Sequence, residues 1–291
     1  MKELVVISGK GGTGKTSLVG AFSYLADKKV IADCDVDAAD LHLLLRPKII
    51  ESHVFEGGKK AVIDTEKCIR CRECFTACRF DAISEEIEIN EFLCEGCGLC
   101  AALCPESAVV LKQEIAGHWF VSTTAYGPFV HARLGIAQEN SGLLVAKVRE
   151  AAKKIAMEEG RDLILIDGSP GVGCAVISSI TGAHLVLIVT EPTQSGLHDL
   201  KRVMDLTSYF QINTLVCINK YDINREISDR IRQICMDRGT MFAGQIPYDS
   251  TVTKAQVFGH TVVEEYRASK AAASMMEIWD SVKICLKSSV K

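Results

Sequence analysis

The chain has 291 residues, of which 48% are hydrophobic and 24% charged, with a formal net charge of −4. That length and apolar content suit one large α/β domain, or a core domain with a small insert, and argue against disorder. Without a basic run, and with only 6% aromatic residues, nucleic acid is not the expected partner.

Leu4-Val5-Val6-Ile7 is a short apolar run, as expected for a strand buried on both faces. It is too short for the apolar stretch of a signal peptide and passes straight into a glycine-rich loop. Gly9-Lys10-Gly11-Gly12-Thr13-Gly14-Lys15-Thr16 fits G-x-x-x-x-G-K-[ST], and residues 15–28 predict a helix. Glycines let backbone N–H groups wrap phosphate oxygens, and the helix aims its positive end at the same anion. Lys15 would then reach the β/γ-phosphates, and the Thr16 hydroxyl would bind Mg²⁺. Val30-Ile31-Ala32 predicts a second strand that ends on Asp33-Cys34-Asp35. Residues 38–45 read as a helix that stops before Pro47, and Gly57-Gly58 as a break.

Composition changes there. Eight of the 13 cysteines fall between Cys68 and Cys104, in two copies of C-x-x-C-x-x-C-x-x-x-C set 26 residues apart. A disulfide framework would spread its cysteines through a small secreted domain, whereas a tight cluster points to metal. The triple spacing is that of bacterial ferredoxins, in which the fourth cysteine ligates the other cluster. Cys68, Cys71, Cys74 and Cys104 would hold one [4Fe–4S] cluster, and Cys94, Cys97, Cys100 and Cys78 a second. Cys104 precedes Pro105, as that pattern expects; Cys78 precedes Arg79, a departure. Zinc and a redox-inert structural cluster are the alternatives.

Alternation of helix and strand resumes after the cysteines. Residues 140–159 predict a helix with Leu144, Val148, Ala151 and Ile155 on one side. Residues 163–166, 185–189 and 215–218 predict buried strands, the first closed by Asp167-Gly168-Ser169-Pro170-Gly171. The longest mostly apolar stretch, 174–190, is short for a bilayer span and carries Gly182 and His184, so it reads as helix, turn and strand. The expected fold is α/β: a mostly parallel sheet with helices on both faces, interrupted by a small α+β ferredoxin-like insert. The domains would be 1–58 with 114–291, and 59–113. A last helix, 271–286, has Met275, Ile278, Trp279, Val282 and Leu286 on one side and a mixed polar face, which suits core packing better than a membrane anchor. A cytoplasmic protein without stable membrane insertion is expected.

The wording Lys-Gly-Gly-Thr-Gly-Lys-Thr resembles the deviant phosphate loop of the MinD/ParA/Mrp ATPases. That resemblance implies bound ATP/ADP and an ATP-sandwiched homodimer, with Lys10 reaching the nucleotide of the partner subunit. It also implies that Asp33 and Asp167 help hold Mg²⁺, that Asp35 positions the attacking water, and that Asn219 of Asn219-Lys220-Tyr221-Asp222 contacts adenine. Pro247-Tyr248-Asp249 would close the base pocket. Tyr126 to Gly135, Glu139-Asn140-Ser141-Gly142 and Glu191 to Leu200 resemble further segments of MinD-type ATPases with an inserted ferredoxin domain. The implied activity is an ATPase that couples nucleotide-driven closure to electron transfer, or to metallocentre maturation, on a redox or metalloprotein partner. An Mrp-type cluster carrier and a positioning protein with redox-sensing clusters are the rival readings. Cys34, Cys174, Cys217, Cys235 and Cys285, with His131 and His198, are expected to be structural.

Overall fold

In a computed structural model, which describes residues 1–135 and 141–288, the chain forms two compact units. The first takes in Met1–Ser52, Trp119–Arg133 and the chain from Ser141 onward; the second takes in His53–His118, with Leu134 and Gly135. Glu139 and Asn140 lie outside the described residues.

The chain runs β1 (Lys2–Ser8), α1 (Lys15–Leu25), β2 (Lys29–Asp33), α2 (Leu41–Leu45), β3 (Lys48–Ile63), α3 (Glu73–Ala77), α4 (Leu99–Leu103), β4 (Val109–Thr124) and β5 (Gly127–Leu134). It continues with α5 (Ser141–Glu158), β6 (Leu163–Pro170), α6 (Cys174–Ile180), β7 (Leu185–Thr190), α7 (Gln194–Tyr209), β8 (Thr214–Asn219), α8 (Arg225–Asp237) and β9 (Met241–Ile246). α9 (Ser250–Val257), α10 (Val262–Glu265) and α11 (Lys270–Ser288) complete it. The strand order is β3-β4-β5-β2-β6-β1-β7-β8-β9, and every pair from β5 to β9 is parallel.

In the first unit the central strands are buried on both faces, so they read as unbroken apolar runs rather than alternating ones. Leu4, Val6, Ile31, Leu165, Leu187 and Cys217 pack with α1, α2 and α11 on one side. On that side Phe22 of α1 meets Trp279 of α11 at 4.9 Å between ring centroids. Trp279 lies in the core with Met275, Ile278 and Val282, so the last helix is a packing element. α5 and α6 contact β2 and β6, and α7 contacts β7. No described helix is long and apolar enough to cross a membrane.

Several boundaries differ from the sequence reading, for physical reasons. Gly57 and Gly58 do not break the chain; they lie inside β3. A Cβ on Gly57 would sit 2.3 Å from the Cβ of Ala116, so the glycine marks a close approach of backbone. α1 stops at Leu25, and the chain turns through Lys28, whose φ is +44°. α2 starts at Leu41 rather than residue 38, because the Ala38 N–H is spent on a turn to the Asp35 carbonyl. β3, β4, β5 and β9 were not anticipated.

The second unit repeats its backbone as well as its cysteines. Arg70, Arg72 and Asp81 have positive φ, and so do Gly96, Gly98 and Ser107, each 26 residues on. α3 and α4 are counterparts at the same offset. Hydrogen bonds cross between the copies in matched pairs: the Asp64 N–H donates to the Ala108 carbonyl at 2.7 Å, and the Asn90 N–H to the Ala82 carbonyl at 2.8 Å. The apolar core is small, built from Ala61, Ala82, Ile83, Ile87 and Val109 with Cys74 and Cys94. At Gly96 a Cβ would meet the Lys59 carbonyl oxygen at 1.8 Å, at a φ of +61°. Gly96→Ala is therefore expected to destabilise this unit by more than ~2 kcal/mol. Arg70→Gly, at the matching left-handed position, is expected to be neutral or to gain about 1 kcal/mol. The rate of limited proteolysis within residues 53–118 measures both.

Candidate functional site

The first unit presents a cleft of about 500 Å³ at the carboxyl ends of its parallel strands. It is lined by the loop of Gly11, Gly12, Thr13 and Gly14, by Lys15, Thr16 and Asp35, and on the far side by Asn219, Pro247 and Tyr248. Gly12 and Gly14 adopt φ of +79° and +86°, which turns the loop back on itself. Gly14 ends it as the N-cap of α1 and, having no side chain, gives the first amides of that helix no cap. Gly9 lies against α7, where a Cβ would come within 2.4 Å of the Cβ of Asp199.

Lys15 is the electrostatic centre. Its Nζ donates to Asp167 Oδ1 at 2.6 Å and to Asp35 Oδ2 at 3.1 Å, with all three side chains buried. Burial alone would lower the lysine pKa; the carboxylates of Asp167 and Asp35 outweigh it and hold it above its ordinary value. Asp33, fully buried, sits opposite Asp167 across β2 and β6. Its oxygens accept from the Asp35 N–H at 3.0 Å and the Leu41 N–H at 3.3 Å. Burial and then the Asp167 charge push its carboxyl well above the usual range, against the pull of Lys15. Burial raises Asp35 too, opposed by Lys15. Two buried oxygens here, Thr13 Oγ1 and Asp167 Oδ2, have no hydrogen-bond partner among the described residues. Buried polar atoms of this kind call for a ligand, and amides, hydroxyls, a lysine and carboxylates together fit a phosphate chain with a divalent cation.

Other positions divide. The Asn219 Nδ2 donates to the Thr13 carbonyl at 2.8 Å, so this residue braces the loop as well as facing the cleft. Thr16 lines the cleft; Lys10 does not. The Lys10 Nζ instead donates to the Thr193 and Ser195 hydroxyls at 3.3 and 3.0 Å, at the start of α7. Asp222 Oδ1 accepts from the Tyr248 N–H at 2.7 Å and positions the 247–248 turn. Asp249 caps α9 through the Thr251 N–H. The sequence reading missed Ser169, whose Oγ donates to the Cys34 carbonyl at 2.7 Å and ties the end of β6 to the segment after β2. Its place two residues after Asp167 was the available signal.

In the second unit the eight thiols sort into two sets. One hollow is lined by Cys68, Cys71, Cys74 and Cys104, the other by Cys78, Cys94, Cys97 and Cys100. Each set combines three cysteines of one copy with the last cysteine of the other. Among the described residues no three His, Cys, Asp or Glu side chains converge as ligands of a single ion would. Four soft thiols ringing a hollow fit an iron–sulfur cluster in each. Cys34, Cys217 and Cys235 are buried, and burial raises all three thiols, Cys217 to about 12 and Cys235 to about 11.

Residues 4–262 match the family described as the CobQ/CobB/MinD/ParA nucleotide binding domain. An uncharacterized protein of Methanocaldococcus jannaschii, MJ0578, is 30% identical over 285 residues, which is 97% of this chain and 96% of that one. A 55-residue stretch, 19% of this chain, is 40% identical to pyruvate synthase subunit PorD of Methanothermobacter marburgensis and covers 68% of it. The septum site-determining protein MinD of Pyrococcus horikoshii, complexed with Mg-ADP, has a TM-score of 0.60 to this fold. That match is 19% identical and covers 100% of this chain and 99% of that one.

His131, within β5 and paired with Asp33 of β2, is stacked between Phe120 and Phe129 at 5.0 and 4.6 Å and meets Ser122 Oγ at 3.1 Å. Burial, and then His42, lower its pKa to about 4, so it is neutral at pH 7. The unfolded chain takes up this proton first, near pH 6.5, so stability is lost as pH falls from there towards 4. His131→Phe is expected to remove about 1–2 kcal/mol of that loss, which melting at pH 7 and pH 4.5 would show.

Proposed function

The chain belongs to the CobQ/CobB/MinD/ParA nucleotide-binding family, and from that premise we propose that it is an Mg²⁺-dependent ATPase carrying two [4Fe–4S] clusters. Nucleotide-driven dimer closure would serve electron transfer to, or metallocentre maturation on, a partner protein. The observation that carries this reading is the crosswise sorting of eight thiols into two sets of four, in a chain whose other unit bears a phosphate loop. The likeness of one stretch to a pyruvate synthase subunit supports the redox half.

The roles follow from the resting geometry. Amides of residues 11–14 would hold the β-phosphate, and Lys15 would leave Asp35 and Asp167 for the β/γ-phosphates. Thr16, Asp33 and Asp167 would hold Mg²⁺. Asp35, freed from Lys15, would orient the water that attacks the γ-phosphorus as the bond to the bridging oxygen breaks. Asn219 would contact adenine. ATP rather than GTP is favoured because Asp222 already binds the Tyr248 amide outside the cleft lining. Lys10 would leave Thr193 and Ser195 to reach the nucleotide of a second subunit. When bound, Mg²⁺ would neutralise phosphate charge, and the clusters would accept and donate single electrons. Chain order supports coupling: β3, which enters the second unit, follows the Asp33–Leu45 segment after two residues.

Anaerobic loading with iron and sulfide tests the redox half: about eight iron and eight sulfide are expected per chain. Cys97→Ser should cost about half of each, while an uncoloured protein would overturn the assignment. For the nucleotide half, Lys15→Ala should weaken Mg·ATP binding at least tenfold. Lys10→Ala should keep nucleotide binding but lose ATP-dependent dimerisation, read by light scattering. A cluster potential and reactivity identical in ATP, in ADP and without nucleotide would remove the coupling.

A further inference from the structure

The two cysteine loops share one backbone, so each serves as a control for the other. In the first, the cysteines are accompanied by Lys67, Arg70 and Arg72; at the matching positions the second has Leu93, Gly96 and Gly98. The second also has Phe92 for Glu66, Glu95 for Ile69 and Leu99 for Glu73. The contrast extends beyond the loop. Residues 80–111 hold seven Asp and Glu and no Lys or Arg.

The surface matches. Phe92 is 80% exposed, and Phe80, Leu93 and Leu99 are exposed by more than 40% each. Phe80, Glu95 and Leu99 line the hollow of Cys78, Cys94, Cys97 and Cys100 together with the exposed Arg79, and the Lys60 Nζ donates to the Cys94 carbonyl at 2.6 Å, so the acidic character belongs to the Glu91 and Glu95 side of the hollow. Cys97 is itself exposed. The Phe92 and Leu93 amides are tied into a turn on Asn90 directly before Cys94, so the aromatic ring is presented by an ordered loop. The carboxylates of Glu91 and Glu95 make no ion pair with any described residue. In the first loop, by contrast, Lys67 is paired with Asp64 at 3.2 Å and Arg72 with Glu85 at 3.9 Å. An exposed aromatic ring among uncompensated carboxylates, beside an exposed thiol, has the composition of a small, charge-steered docking site.

We propose that a partner protein with a basic surface docks on the acidic and apolar face around Phe92, Glu91, Glu95 and Cys97, and that electrons leave through the four-thiol set there. The inference rests on the clusters proposed above and names which of the two faces the partner. No bond is made or broken: one electron passes to the partner, which is reduced as the thiolate-held iron is oxidised.

The test uses the anaerobically loaded, reduced protein, with a small basic c-type cytochrome in its ferric form as the probe. Carbodiimide cross-linking should join probe lysines to Glu91 and Glu95. The double variant Glu91→Lys/Glu95→Lys should slow the bimolecular reduction of the probe about tenfold at low salt, and by little at high salt. Arg70→Glu/Arg72→Glu should leave that rate unchanged or raise it. Cross-links concentrated on Glu66 and Glu73, or a rate indifferent to Glu91 and Glu95, would overturn the proposal. Iron and sulfide are counted on each sample. A wild-type protein that holds neither counts against the function proposed above, whereas the cross-link pattern reports on the docking face alone.

Discussion

One buried ammonium group organises the nucleotide-binding unit. Lys15 projects from the first turn of α1 between Asp35 and Asp167, at the carboxyl ends of two neighbouring strands, with Asp33 alongside. Three carboxylates so placed lose water on burial and, beyond that, repel one another, which is why Asp33 and Asp35 are pushed towards their neutral forms. Without a cation the arrangement would be strongly unfavourable; with one it is offset in charge, yet Asp167 Oδ2 is left without a hydrogen-bond partner among the described residues. Such a constellation is poised for exchange, because a phosphate chain offers the lysine stronger partners and a divalent metal offers the carboxylates a stronger cation. The rest of the unit serves to hold it. The parallel sheet aligns the strand ends, Asn219 braces the loop from β8, and Ser169 ties the end of β6 to the segment after β2.

The second unit solves a different problem. Sixty-odd residues bury too little apolar surface to be secure alone, and this unit's core is made of alanines, a few branched residues and the cysteines themselves. Cluster binding would therefore be folding free energy as well as redox equipment. Duplication makes the arrangement economical. One loop geometry, with left-handed residues at matched positions, builds both hollows, and the last cysteine of each copy crosses to the other. Because the backbones match, the differing side chains stand out. Arginine occupies positions where the second copy has glycine, which costs backbone strain and leaves the two faces unlike in charge.

The sequence and the structure agree most closely where chemistry is local. The phosphate loop, the helix after it and the cysteine spacing each lie within about a dozen residues, and each can be read without knowing what packs against it. Errors arose where distant chain decides. Gly57 looks like a break until Ala116 is seen against it. α2 was placed three residues early because its start depends on a carboxylate eight residues before it. β3 and β4 have exposed or mixed faces and so lack the unbroken apolar run that marks the central strands, while in β5 the buried run of residues 129–132 is interrupted by His131. His131, expected to be structural, is so because two phenylalanines from different strands enclose it as a neutral core residue.

By itself, then, the order of residues determined the two kinds of site: a glycine-rich anion loop with its lysine and hydroxyl, and eight thiols in a duplicated spacing. Tertiary structure decided how those groups meet. It set Lys15 between Asp35 and Asp167, parked Lys10 on the hydroxyls of α7, and distributed the cysteines crosswise. The reason is one of range. A loop's conformation is set by steric limits within a few residues, whereas the field at a buried charge is the sum over every strand end that the fold brings within a few ångströms.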